Sequence, residues 1–465
     1  MVALAHLSER IGAHCVEKSR YVREREVNVE GSYSIPGYIE QSRVLTNATL
    51  LRRFEEFHQQ QDRTDIGVFG RRGFCKMLVA ATASLAISKL LGSSSAAASG
   101  VAQRTRIPLI TLFLSGGAPS KETFNPDPAG TLEELRGPMG TVQTSVTGVH
   151  FGDQFPRLAA LADRMAVIRS LDAGSSDHTP AQQNAVLLGR TTVSEQIGER
   201  ASDGGVPYVV LNPGSTWYGL RDAFRIGHAF APIWTGATRR FSPPRQAGSP
   251  ERLRERRGLL EGFEKDVEIH SPAADRFARF RQTAFDLSLG GGDFFRAFTL
   301  GEKEREHFGN TTQGDMALLA KQLVQRGAGA VTVYDELDAS MWDTHGNMKK
   351  KIEEIGPPMD RAASRLAEDI LNGDLNALLL IMGEFNRTPR MNGGGGRDHW
   401  SEGNCAVLVG RNIRGGVVHG RVSPQGRVTH DRVSQRTQLA NTLLVASGAE
   451  IEPAAPRVRE VLRAG

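Results

Sequence analysis

Cysteine is scarce in this chain. Its 465 residues include three: Cys15, Cys75 and Cys405. The first two fall in segments read below as an N-terminal extension and an export signal. A processed protein would keep only Cys405, so no intrachain disulfide is expected. Stability must then come from a buried core, which a chain of this length can build. A basic stripe with interleaved aromatics is also missing. The formal net charge is +5, with acidic and basic residues mixed along the chain, so nucleic acid is not the implied partner. No apolar run reaches the roughly 18 residues of a membrane span. No Gly-x-Ser-x-Gly elbow occurs, which leaves a metal-independent Ser/His/Asp hydrolase without support. Hydrophobic content of 39% and charged content of 23% are ordinary for a soluble globular chain.

The first hundred residues read as a targeting region. Gly70-Arg71-Arg72-Gly73-Phe74-Cys75-Lys76 resembles the twin-arginine export motif. A moderately apolar run follows from Met77 to Leu91, broken by Lys89, and Ala96-Ala97-Ala98 fits an A-x-A cleavage site. The expected division is a charged extension over 1–69, a signal over 70–98 and one domain over 99–465. The extension precedes the signal by more than such signals usually allow, so a translation start near Asp65 to Gly70 is expected. Export by the twin-arginine machinery would deliver the protein to the periplasm or beyond.

From Ile107 onward, strand-like and helix-like segments alternate. Strands are expected over Ile107 to Leu114, Met165 to Arg169, Val206 to Leu211, Ala330 to Tyr334, Ala377 to Met382 and Cys405 to Val409. Helices are expected over Arg157 to Arg164, Ala181 to Leu188, Asp315 to Arg326, Met359 to Leu371 and Gln438 to Ala446. This rhythm predicts an α/β sandwich with a mostly parallel sheet. Residues 213–305 are richer in proline, arginine and aromatics, with poorer periodicity, and read as a helical and loop insertion or cap.

Ligands of open α/β sheets bind outside the carboxyl ends of the strands. Four expected strands run into loops loaded with polar groups. They carry Ser115 to Asn125; Ser175 to Pro180, with Asp177-His178-Thr179; Asp335 onward to Trp342-Asp343-Thr344-His345-Gly346; and Gly383-Glu384-Phe385-Asn386-Arg387. Asp398-His399-Trp400 adds a second Asp–His pair before the last strand. Asp, Glu and His are the ligand types that zinc and manganese prefer. Asp343 and His345 are two apart and face one way on an extended segment. Thr179 before Pro180 fits a helix N-cap with proline at the first helical position, which sets a hydroxyl at the positive end of a helix. Arg387 is read either as a bidentate partner for an anionic substrate or as a structural partner of Glu384.

Gly-Gly-Ala-Pro-Ser-x-Glu-Thr-Phe at 116–124, Asp-His-x-x-Ala running to Leu-Leu-Gly-Arg at 177–190, Trp-Asp-Thr-His-Gly, Met-Gly-Glu-Phe-x-Arg-Thr-Pro and Gly-Arg-Asp-His-Trp together resemble an exported bacterial family, domain of unknown function 1501. That family is similar to the alkaline phosphatase/sulfatase superfamily. The resemblance spans roughly Ile107 to Ala449. It implies a three-layer α/β/α sandwich and one or two divalent metals, with zinc, manganese and calcium as candidates. It further implies in-line attack on a phosphate or sulfate ester by Thr179 or a metal-bound water, with His178 or His399 moving protons. The implied metal ligands are Asp343, His345, Glu384, Asp398, His399 and Glu122; Ser120 and Arg387 are the implied substrate contacts. Two departures stand out: Asn125 occupies a position where the family usually has Asp, leaving Glu122 and Asp127 as substitutes, and Glu384 stands where an Asp–His pair is usual. No Cys-x-Pro-x-Arg occurs, so formylglycine chemistry is not supported.

The expected function is an exported metal-dependent hydrolase acting on a small anionic ester. The alternative is a degenerate relative that keeps the fold for binding or surface assembly.

Overall fold

The computed structural model describes residues 106–127, 131–188, 191–202, 205–211, 233–235, 249–264, 294–335 and 342–463, with a few single positions between 278 and 289. The expected extension and signal lie outside the described residues, as does most of the expected cap.

A nine-stranded sheet organises the domain. In chain order its strands are β1 (Leu109–Phe113), β2 (Ala166–Asp172), β3 (Val209–Leu211), β4 (Ile233–Thr235), β5 (Ala330–Tyr334), β6 (Leu378–Met382), β7 (Glu402–Val409), β8 (Val417–His419) and β9 (Val433–Ser434). Across the sheet they run β8-β2-β7-β6-β1-β5-β3-β4, with β9 also on β2. The central strand β1 pairs in parallel with β6 and β5, and β3 pairs in parallel with β5 and β4. The antiparallel member is β7, which lies between β6 and β2. The expected cap region thus supplies an edge strand, β4.

Both faces of the sheet are covered, because side chains alternate across each strand. Ile110, Leu112, Val331, Val333, Leu379 and Ile381 belong to one buried cluster. Into it pack α6 (Thr312–Gln325) through Leu319 and Leu323, and α7 (Met348–Asn372) through Met359 and Leu366. Leu109, Phe113, Leu378 and Leu380 belong to the other cluster, with Val193 and Ile197 of α3 (Val193–Ala201) and Leu443 of α8 (Ala440–Ala446). The fold is therefore the three-layer α/β/α sandwich that was expected. Other helices among the described residues include α1 (Pro156–Ala160), α2 (His178–Val186), α4 (Pro250–Glu264) and α5 (Glu302–His307).

Several boundaries differ from expectation, among them Leu187–Leu188, which form a short strand instead of ending a helix, and two differ for clear reasons. Helix α7 starts eleven residues earlier than the sequence reading, and passes through Pro357 and Pro358. Met348, Ile352 and Ile355 continue its buried stripe at helical spacing, and that burial outweighs the hydrogen bonds lost at the prolines. Helix α2 begins at His178, with Asp177 as the preceding residue whose carbonyl accepts from Ala181 N at 3.0 Å. Thr179 is therefore inside the first turn and is not the cap.

Among the described residues no helix is long and apolar enough to cross a membrane.

Candidate metal centre

Strands β1, β2, β5 and β6 point the same way, so their carboxyl ends share one edge, and β7 begins there. Every polar cluster named from the sequence lies on a loop leaving or entering that edge. Backbone bonds fix the loops to one another. Trp342 N donates to Ser115 O at 3.0 Å, Asp335 N to Phe113 O at 2.8 Å and Arg397 N to Thr344 O at 3.0 Å. Arg387 and His399 are paired residues of a short antiparallel ladder.

Asp343 is the centre of the cluster. Its Oδ1 lies 3.0 Å from His345 Nε2 and 3.5 Å from His399 Nε2, and its Oδ2 lies 3.8 Å from His178 Nε2. His178, Asp343 and His399 each offer one ligand atom within 4.8 Å of the others, the spacing of a metal-binding group. His345 adjoins it: its Nε2 is 2.9 Å from His399 Nε2.

Each imidazole is oriented from behind. His178 Nδ1 meets Glu384 Oε1 at 2.8 Å, His345 Nδ1 meets Asp398 Oδ1 at 2.8 Å and His399 Nδ1 meets Ser176 O at 2.9 Å. Carboxylates and carbonyls here only accept, so all three Nδ1 atoms carry the proton. All three Nε2 atoms are turned toward Asp343. Such a backing of metal-binding histidines by carboxylate or carbonyl is a recurrent feature of metal sites. The ring of Phe385 fills the space beneath, with centroids 4.9 Å from His178 and 4.5 Å from His399.

The electrostatics favour a cation. Burial works against the charged form of His178, yet Asp343 and Glu384 raise it to about 9. Burial would raise the Asp343 carboxyl, but His178, His399 and Arg387 outweigh it and hold the group far below the usual carboxylate range. Asp398 is held low by its hydrogen bonds to His345 and Asn392. The donor set of nitrogen and carboxylate oxygen therefore fits a divalent ion of the zinc or manganese type.

The residues expected from the sequence separate into two groups. Asp343, His345 and His399 meet at the centre, and His178 joins them through its ring. Asp398 reaches the back of His345 and not the centre. Glu384 is also behind the cluster: it is 0% exposed, and its oxygens accept from Gly116 N at 3.0 Å and Gly117 N at 3.0 Å as well as from His178. Glu122 is remote in function, since it is fully buried against the Arg397 guanidinium at 2.8 Å. Ser120 donates to Gly403 O at 3.0 Å inside the core. Arg387 is fully buried and spends its N–H groups on Gly116 O, Gly117 O, Arg397 O and Asp343. It is a structural arginine whose acidic partner is Asp343, not Glu384. Asn125 donates its backbone N–H to Ser120 O at 2.8 Å, and Asp127 pairs with Lys121, so neither joins the cluster. Thr179 is half-buried at the second position of α2. Successive helix positions diverge, and the residue sharing the His178 face is Gln182, 3.5 Å from Glu384 Oε1.

Two contributors escaped the sequence reading. Gly116 and Gly117 have φ of +103° and +81°, which lets consecutive N–H groups converge on one carboxylate. Asn392 bonds Asp398 Oδ1 at 2.9 Å and His345 O at 3.0 Å, while its own Oδ1 accepts from Gly394 N and Gly396 N. Through these bonds Asn392 anchors the glycine run 393–396 on the Asp398–His345 pair.

No curated protein matches the chain. Among solved structures it is similar to a protein in the alkaline phosphatase superfamily from Vibrio parahaemolyticus, at 9% identity, covering 75% of this chain and 68% of that one with a TM-score of 0.34. It is similar to a putative sulfatase from Bacteroides thetaiotaomicron, at 9% identity, 76% and 73% coverage and a TM-score of 0.33. It is similar also to an alkaline phosphatase from the Antarctic bacterium TAB5, at 12% identity, 75% and 100% coverage and a TM-score of 0.32. At scores this low, neither fold nor activity is made to rest on these likenesses. The family profile is a different matter: it matches residues 107–458, the whole of the sheet and the cluster, and the chain belongs to the family described as Protein of unknown function (DUF1501).

Proposed function

We propose that the chain is an exported, metal-dependent hydrolase of phosphate or sulfate esters, with His178, Asp343 and His399 as metal ligands and His345 as a fourth. One observation carries this reading: three imidazoles turn Nε2 toward one carboxylate, each with its Nδ1 bonded to an acceptor. When bound, a divalent ion supplies positive charge for the ester oxygens and acidifies a water.

The chain's own residues have separable tasks. Glu384, Asp398 and the Ser176 carbonyl fix the three rings. Arg387 keeps Asp343 anionic and immobile. The first turn of α2, just past Asp177, presents backbone N–H groups and the positive end of a helix, which suits an anionic ester. Thr179 on that turn is the candidate nucleophile, with water as the other. Export by the twin-arginine machinery rests on Arg71-Arg72 and the run after them.

Protein purified from the periplasm is the material for the test. Stoichiometric zinc or manganese, with turnover of nitrophenyl phosphate or nitrophenyl sulfate that is lost in His399→Ala, is the expected result. No retained transition metal and no turnover would replace this reading with the degenerate binding protein, which the unusual placement of Glu384 and Asn125 would then explain. Activity that survives in Thr179→Ala would assign the attack to water.

A further inference from the structure

A second polar site lies away from the histidine cluster. A cleft of about 470 Å³ opens between α1, α5 and α7. That volume is within the range of small-molecule sites. Its walls carry Arg157 from α1, Lys303 and His307 from α5, and Arg361 and Arg365 from α7, against two carboxylates, Glu306 and Glu368. Every lining residue is polar, so the cleft offers nothing to an apolar body.

The charges are unevenly spent. Arg365 is paired with Glu368 and with Asp369, both at 3.0 Å. Arg361 gives one N–H to the Glu306 carbonyl at 2.8 Å, and the rest of its fork makes no hydrogen bond among the described residues. The side chains of Arg157 and Lys303 make no salt bridge among the described residues. The two oxygens of Asp360 accept from the backbone N–H groups of Arg157 and Leu158 at 3.0 and 2.9 Å. Cations gathered around one concavity repel one another, and a bound polyanion relieves that repulsion. Guanidinium forks match the oxygens of phosphate groups in pairs, whereas a lysine acts as a point charge.

We propose that this cleft binds a compact small molecule carrying two or more phosphate groups. The site is separate from the metal cluster. Arg361 follows Met348, the first residue of α7, by about 20 Å of helix at 1.5 Å per residue, while His345 sits just before that first turn. The inference does not depend on the hydrolase reading.

The test uses pyrophosphate on the full purified chain at constant ionic strength, with binding followed by calorimetry and thermal shift. His399→Ala serves as the background, so that anions drawn to the histidine cluster do not count. Pyrophosphate is expected to raise the melting temperature of His399→Ala, and its affinity is expected to fall at least tenfold in His399→Ala carrying Arg157→Gln and Lys303→Gln. These two side chains are exposed, and an unchanged melting temperature without ligand will show that the fold is kept; Arg361→Gln provides an independent third change. Equal affinity with and without the charge changes overturns the proposal. So does the absence of any shift in the His399→Ala background, or inorganic phosphate binding as tightly as pyrophosphate.

Discussion

The Nε2 atoms of His345 and His399 face each other at 2.9 Å, and neither ring can turn away. Asp398 holds His345 from behind, and the Ser176 carbonyl holds His399. Both Nε2 atoms lie close to Asp343 Oδ1, at 3.0 and 3.5 Å, so the three atoms form a compact donor set for a cation. His399→Ala is therefore expected to lose stoichiometric metal, while the fold, whose two large apolar clusters do not include this ring, should melt within a few degrees of the parent. Elemental analysis after dialysis against chelator checks it. Full metal retention in the variant would remove His399 from the ligand set.

Metal uptake should depend on pH with a definite sign. Without metal, His178 holds its proton up to about 9 because Asp343 and Glu384 outweigh its burial. A metal must displace that proton. Affinity is expected to rise as pH increases from 6 toward 9, by up to about tenfold per unit for one proton released. Calorimetry in buffers of different ionisation enthalpy counts the protons. A flat affinity over this range would contradict the assignment of His178 as ligand.

On the proposed reading Glu384 orients a ligand and is not itself one. Glu384→Gln keeps its shape but loses the charge that the Gly116 and Gly117 N–H groups and His178 address. Metal should still bind, about 10- to 100-fold more weakly, as for other changes behind a ligating histidine. Complete loss of metal with an intact fold would make Glu384 a ligand after all, and unchanged affinity would strip it of any role in holding His178.

Gly116 cannot accept a side chain. Its φ is +103°, and an added Cβ would sit 2.5 Å from Asp343 N. Relief would require moving the backbone that carries Asp343. Gly116→Ala is expected to cost more than about 2 kcal/mol in stability and to weaken metal binding together with it. Urea unfolding measures the first effect. A cost below about 0.5 kcal/mol, within the range of ordinary surface changes, would mean that the loop relaxes freely.

Asp335 gives the fold a pH dependence of its own. It is wholly buried at the end of β5, accepts one hydrogen bond from Trp342 Nε1 at 2.8 Å, and its Oδ1 has no hydrogen-bond partner among the described residues. Burial pushes its carboxyl up to about 7, against about 3.9 in an unfolded chain. Between those values the unfolded chain releases a proton that the folded chain keeps, so stability falls as pH rises from about 4 to about 7 and levels off above. Asp335→Asn removes this term. Its stability relative to the parent should improve by a few kcal/mol across that window, at roughly 1.4 kcal/mol per unit. Parallel pH profiles for the two proteins would show that Asp335 ionises normally.

Much of the fold was legible because it follows from local patterning. Ala330–Tyr334 appears with the expected bounds, and β1 and β6 within a residue or two at either end, since short β-branched runs between glycines and polar loops have little else to form. The early half of α7 was not legible: Pro357-Pro358 is a strong local stop, and only the sheet beneath shows why Met348, Ile352 and Ile355 override it. The same division runs through the site. Residue type and spacing singled out Asp343, His345 and His399, and the carboxyl-edge rule placed them together. Spacing does not reveal which carboxylate faces a metal and which is already spent. Glu384, Glu122, Asp398 and Arg387 look alike in sequence as candidate site groups. Only the tertiary contacts show Glu384 closed by two glycine N–H groups, Glu122 by Arg397 and Arg387 by Asp343.

The sequence by itself determined the α/β rhythm, the loaded strand ends and the family, because each depends on residues near one another in the chain or on whole motifs. The tertiary structure decided the roles. A hydrogen bond between Glu384 and Gly116 joins residues 268 apart, and no local pattern encodes the competition among donors that such a contact settles. The physical reason is that a carboxylate's function is fixed by what already occupies its lone pairs, and here those occupants come from distant loops that meet only when the sheet is complete.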